Sequence, residues 1–148
     1  MATYNSDKYS TSAPVPFASH GLSGNVKAIF ATVSCTAAPS TSDTINFCRV
    51  PKNSRILSMT LESTDMDTNG SPTITLNVGD SGSATRYFSA STVAQAGTAA
   101  VASATTGLGY LTTADTVITG VAQANAATGA AGTLYLTVLY AVEESATS

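Results

Sequence analysis

The chain reads as an all-β protein, an antiparallel β-sandwich of jelly-roll type carrying an extended N-terminal arm. Three observations lead there. Apolar residues recur with period two in run after run: Leu57, Met59 and Leu61, then Ile74, Leu76 and Val78, then Leu134, Leu136, Val138 and Tyr140. Such alternation gives a strand one dry face and one wet face. About eight such runs follow one another at intervals of roughly 10–15 residues, separated by Gly, Pro, Asn, Asp and Ser, with little helical period between them. Eight strands with one long connection fit a jelly roll. The immunoglobulin-like sandwich is the alternative, but its usual buried Trp between two cysteines has no counterpart, since the chain has no Trp.

Three segments are expected: an arm over residues 1–24, a sandwich over residues 25–142 and a polar tail over residues 143–148. The arm is polar and irregular. It reads either as a disordered tail or as an extended arm, stiffened by Pro14 and Pro16, whose isolated aromatics Tyr4, Tyr9 and Phe17 dock into a neighbouring chain.

Val26 to Cys35 is the first expected strand, with Val26, Ala28 and Phe30 on one face and Lys27, Ile29, Ala31 and Val33 on the other. Thr44 to Val50 is the second, with Ile45 and Phe47 together. A turn at Pro51-Lys52-Asn53-Ser54 leads into the run of Leu57, Met59 and Leu61. Asp65 to Pro72, with its Asn69-Gly70 step, then reads as the turn of a β-hairpin that joins this run to the next. Ala84 to Ser89 is a short strand. Residues 91–106 form either a short helix capped by Thr92 with Gln95 or a long loop. Leu108, Tyr110 and Leu111 suggest that a strand begins over Thr106 to Thr113, and Thr116 to Ala122 is a further strand. In the last, Thr133 to Val142, the second face (Tyr135, Thr137, Leu139, Ala141) is also fairly apolar. A strand of that kind is buried at a sheet centre or by a partner subunit, and Tyr135 and Leu139 are the residues expected at an oligomer interface.

Composition narrows the function classes. In 148 residues, charged side chains make up 10%, against about 25% in ordinary soluble domains. The surface is therefore largely Ser, Thr, Ala, Gly and Asn, a cover suited to contact with other protein. The net charge is −3 with six dispersed basic residues. Arg49, Lys52 and Arg55 around one turn are too few for the counterion displacement that nucleic-acid binding needs. The N-terminus lacks an apolar signal core and no stretch matches a membrane span. The chain is thus expected to be made and used in a cytoplasm, or assembled there into something that later leaves. No nucleic acid, membrane or small-molecule substrate is expected as a partner.

No catalytic constellation is legible. His20 is the single histidine, placed in the arm without a partner for a Ser-His-Asp arrangement. Asp65-x-Asp67-x-Asn69-Gly70 matches the opening of a calcium loop, yet the place of the bidentate Glu is taken by Leu76, and Asp, Asn and Gly also suit a turn. Cys35 and Cys48 flank a polar loop; a disulfide and two buried thiols both remain open, with cytoplasmic origin favouring thiols. No metal, no cofactor and no enzymatic activity are expected.

The order of several short motifs resembles the small decoration, or cement, proteins of tailed-bacteriophage heads. The residues concerned are Arg49 to Leu57 (RVPKNSRIL), Val78 to Gly82 (VGDSG), Arg86 to Phe88, Gly107 to Tyr110, Asp115 to Ile118 and Thr133 to Tyr140. The resemblance spans Lys27 to Val142. It implies a jelly-roll β-sandwich, homotrimers seated near threefold positions, the major capsid protein as partner, and a role in holding capsomers together from the outer capsid surface after synthesis in the host cytoplasm. It also implies an arm over residues 1–24 that clamps, through Tyr4, Tyr9, Pro14, Pro16 and Phe17, onto capsid protein or the adjacent subunit. Another virion component, such as a head fibre, a tail protein or a host-glycan-binding module, is the alternative.

Overall fold

The computed structural model describes residues 1–9, 25–103 and 105–143. Nine strands and one short turn of 3-10 helix are present among them: β1 (Thr3–Lys8), β2 (Val26–Cys35), β3 (Thr44–Val50), β4 (Ser54–Ser63), β5 (Thr75–Asp80), β6 (Ser83–Ser91), the 3-10 turn Val93–Gln95, β7 (Ala99–Val101), β8 (Thr116–Ala124) and β9 (Gly132–Val142). They form two sheets, in the order β1-β3-β8-β5-β6 and β2-β9-β4-β7. Without β1, the eight remaining strands follow the interleaved double Greek key of a jelly roll.

The core lies between the sheets. From the four-stranded sheet, β2 contributes Ile29, Ala31 and Val33, β9 contributes Leu134, Leu136, Val138 and Tyr140, and β4 contributes Ile56, Met59 and Leu61. They meet Ile45, Phe47, Leu76, Val78, Tyr87 and Ile118 from the other sheet. Each fully buried side chain of this size contributes about 1.5–3 kcal/mol. Gly120 shows how tightly the layers fit. It pairs with Ile45 on one side and Val78 on the other, and a Cβ there would lie 2.9 Å from Cε2 of Phe47.

Several expectations require correction. β4 and β5 do not form a hairpin: they belong to opposite sheets, and residues 64–74 cross from one layer to the other. The Asp67 carboxylate organises this crossing, accepting the N–H groups of Thr73 and Ile74 at Oδ2. Leu57 does not share the dry face of Met59 and Leu61. The register of β4 against β9 slips between the Ile56–Tyr140 and Ser58–Leu139 pairs. This bulge turns Ile56 into the core and leaves Leu57 42% exposed. Residues 106–113 are a turn with one isolated bridge, between Leu111 and Arg55, and not a strand. Thr92 makes no side-chain cap, and Gln95 donates instead to the carbonyl of Ile74.

Part of the segment expected as an arm is a strand of the sandwich. Residues 3–8 pair in parallel with β3 at the edge of the five-stranded sheet. Ser6 is buried and donates to the Phe47 carbonyl, and Asn46 donates to Asn5 across the pair. Hydrogen bonds set this strand more than apolar period does, which is why alternation does not reveal it. Pro14, Pro16, Phe17 and His20 lie outside the described residues, as does Glu144 with the rest of the tail.

Candidate interaction surface

β9 is the inner strand between β2 and β4, so its second face looks outward from the four-stranded sheet. Register places Leu139 between Ala28 and Ser58, Thr137 between Phe30 and Thr60, and Tyr135 between Thr32 and Glu62. Tyr135 and Leu139 are half-buried. The Phe30 and Tyr135 rings lie 5.9 Å apart, tilted by 31°, within the range of favourable aromatic pairs. Phe30 remains 52% exposed, Val26 60% and Val101, on the outer edge strand, 65%. Leu57 joins them through its bulge. Among the described residues, the exposed large apolar side chains on strands all belong to this sheet; the others, Met1 and Leu108, lie off the strands.

Sequence reasoning singled out Tyr135 and Leu139 but not Phe30, Val26, Leu57 or Val101 as surface contacts. Phe30 and Val26 had a readable signal: with Ala28 they give β2 a second apolar face like that of β9. Leu57 had none, because a bulge is a property of the pairing. Tyr4 is half-buried and packs against the core, while Tyr9 stands with its ring centroid 5.9 Å from the Arg49 guanidinium carbon.

Polar side chains pin the loops at both ends of the sandwich. Asp67 is buried and takes four backbone N–H groups, from Thr73, Ile74, Ala127 and Thr128. Burial opposes its charge, but these donors outweigh it and hold the carboxyl well below the usual carboxylate range. The motif resembling a calcium loop is thus a crossing in which Asp67 already serves N–H donors and Asp65 accepts from Asp67 N–H. At the other end, Arg55 pairs with Glu143 and donates to the Gly109 carbonyl. This contact raises the guanidinium and lowers the carboxyl. Arg86 makes a two-point pair with the buried Asp80 and lies 3.8 Å from the centroid of Tyr110. A Cβ at Gly107 would lie 2.5 Å from the Arg86 carbonyl, so this turn closes directly on β6.

Cys35 and Cys48 are free and buried, on strands of opposite sheets. Burial raises their thiols to about 11 and about 12 respectively, with the Asp43 charge adding to the effect at Cys35. Neutral, enclosed thiols are poor nucleophiles and poor metal ligands. Among the described residues no group of three or more His, Cys, Asp and Glu side chains is placed to hold a metal, and no helix is long and apolar enough to cross a membrane. The outward apolar sheet face is the feature suited to contact with other protein.

No protein-family model and no curated protein matches the sequence. Solved structures do. The chain is similar to a chain of the capsid asymmetric unit of cyanophage Pam1, at 44% identity over 93% of this chain and 99% of that one, with a TM-score of 0.76. It is similar to a chain of the capsid of Ralstonia phage GP4, at 30% identity over 97% of this chain and 99% of that one, with a TM-score of 0.82. It shares its fold with a chain from the acid-stable capsid of Helicobacter pylori bacteriophage KHP30, at 12% identity over 80% and 94% of the two chains and a TM-score of 0.56.

Proposed function

Because this chain belongs to the family of bacteriophage capsid chains represented in cyanophage Pam1 and Ralstonia phage GP4, and is a structural component of the virion, we propose that it binds the outside of the capsid and stabilises contacts between capsomers. The observation that carries this reading is the outward apolar face of the four-stranded sheet, centred on Phe30, Tyr135 and Leu139. Exposed apolar side chains grouped on one face mark a protein contact, and the low charge of the chain suits a surface largely covered by neighbours.

On this reading the protein is a homotrimer near threefold positions of the shell, with Tyr135 and Leu139 in the subunit interface. Residues 10–24, with Pro14, Pro16 and Phe17, supply a clamp onto capsid protein or the next subunit, and Tyr4 and Tyr9 anchor the start of that clamp on the sandwich. The major capsid protein is the partner, and assembly takes place in the host cytoplasm.

Co-sedimentation with mature heads stripped of the protein tests the reading. Saturable binding at a fixed ratio to the major capsid protein, with heads that hold their DNA to a higher temperature when bound, is the expected result. Failure to bind heads overturns it and directs attention to the tail. Light scattering at micromolar concentration tests the trimer; a monomeric mass refutes it for the isolated protein.

A further inference from the structure

A sandwich has two open sides, where the edge strands of its two sheets face one another. In this molecule they are treated differently. On one side the edges are β2 and β3. The chain's own β1 fills that side: it pairs with β3, and its Asp7 accepts the N–H of Thr32 on β2 at 2.9 Å. An extended polar segment, TYNSDK, is therefore held by this sandwich at its edge through main-chain pairing.

On the other side the edges are β6 and β7, and a cleft of about 400 Å³ separates them. It is lined by residues including Tyr87, Ser89, Ser91, Ala100, Val101 and Ser103, and among the described residues no charged side chain lines it. Among the described residues, the main chain of β7 has no strand partner on its outer side. Thr98 accepts from the Ser63 N–H, and Ala102 donates to Met59. The alternation of an antiparallel ladder then turns the N–H and C=O groups of Ala99 and Val101 away from β4.

The opposite wall is shaped by an unusual backbone. Ala90 has φ of 51°, a region that non-glycine residues adopt at a cost. The buried Asn77 holds it there by accepting the Ala90 N–H at 2.8 Å. This hydrogen bond takes the Ala90 donor away from the edge of β6, which leaves β7 the more regular of the two edges for pairing.

We propose that the β6–β7 cleft is a second strand-addition slot, and that it takes an uncharged extended segment of another virion chain, hydrogen-bonded main chain to main chain along β7. Main-chain pairing supplies affinity in this mode, and the small pockets beside the strand supply selectivity. The absence of charge in the lining selects Ser-, Thr-, Ala- and Val-rich segments over charged ones, because an unpaired charge entering the cleft loses its hydration. The identity of the partner as a virion chain rests on the capsid reading above; the slot itself rests on the geometry.

Overlapping peptides covering the virion proteins of the phage, arrayed and probed with the full chain, test the slot directly. Two variants accompany the wild type. Ala99→Pro removes one of the two outward N–H groups of β7 and leaves Val101 in place, and Ser89→Trp fills the cleft from an exposed position without touching the core. The expected result is binding of uncharged extended peptides by the wild type, reduced at least about tenfold in both variants, with the melting temperature of Ser89→Trp unchanged. Absence of binding, or binding equal in all three proteins, overturns the slot. Co-sedimentation with stripped heads separates the two ideas: heads bound equally by wild type and variants keep the capsid reading and remove the slot. Peptide binding that depends on the cleft, in a protein that ignores heads, keeps the slot and removes that reading.

Discussion

Phe30 on the edge strand β2 and Tyr135 on the central strand β9 hold their rings 5.9 Å apart on the outward face of the four-stranded sheet. Their Cα atoms are not direct partners, since Phe30 pairs with Thr137 and Tyr135 with Thr32. The contact is the diagonal one that long side chains reach across a sheet. It organises an apolar surface that the sandwich does not itself cover.

Substituting Phe30→Asp removes that surface with little effect on the core, because Phe30 is 52% exposed. The melting temperature of the isolated subunit is expected to stay within a few degrees, and either binding to stripped heads to weaken by about tenfold or more or the oligomeric mass to fall to that of the monomer. A variant that binds and assembles like the wild type would remove this face from the contact.

Asp67→Asn tests the layer crossing. The amide keeps the shape but replaces one acceptor oxygen, which serves N–H donors in the native protein, by a donor. A drop of several degrees in melting temperature at neutral pH is expected. The folded carboxyl lies below its ordinary value, so its stabilisation is fully present above the unfolded value of about 3.9 and is lost as pH falls through the folded value. The gap between wild type and Asp67→Asn is therefore widest near neutrality and narrows below about pH 4. Thermal melts from pH 7 to pH 2 check the direction.

Cys35 and Cys48, raised to about 11 and about 12 by burial, are expected to resist thiol reagents in the folded protein. At pH 8 a thiol reagent should modify neither cysteine of the native chain and both in denaturant. Modification of the native chain at the rate of a free thiol would show that the sheets open around them.

Gly120→Ala tests the fit between layers. The added methyl would lie 2.9 Å from the Phe47 ring carbon, and Phe47 is fully buried. Overpacking of this kind costs about 1–3 kcal/mol. A denaturation midpoint equal to that of the wild type would mean that the ring yields without cost.

The strands most legible in the sequence are those whose alternation is set by the core itself: β2, β3, β8 and β9. Their inward residues Ile29, Ile45, Ile118 and Leu136 are all buried. The sandwich class followed from their number and spacing. The strand partners did not. The Asn69-Gly70 step resembles a hairpin turn, but Asp67, two residues earlier, gathers N–H groups from Thr73 and from Thr128, and a carboxylate that joins two distant loops leaves no local mark.

The sequence by itself determined the all-β class, the inner face of the long strands and the two-sided apolar character of β9, because these depend on period two along one strand. The tertiary structure alone decided that β4 and β5 part into different sheets, that β1 closes the β2–β3 side of the sandwich, and that Leu57 points outward. Each depends on hydrogen-bond register between segments far apart in the chain. A one-residue slip in that register reverses the face a side chain occupies, and the order of residues along one strand does not encode it.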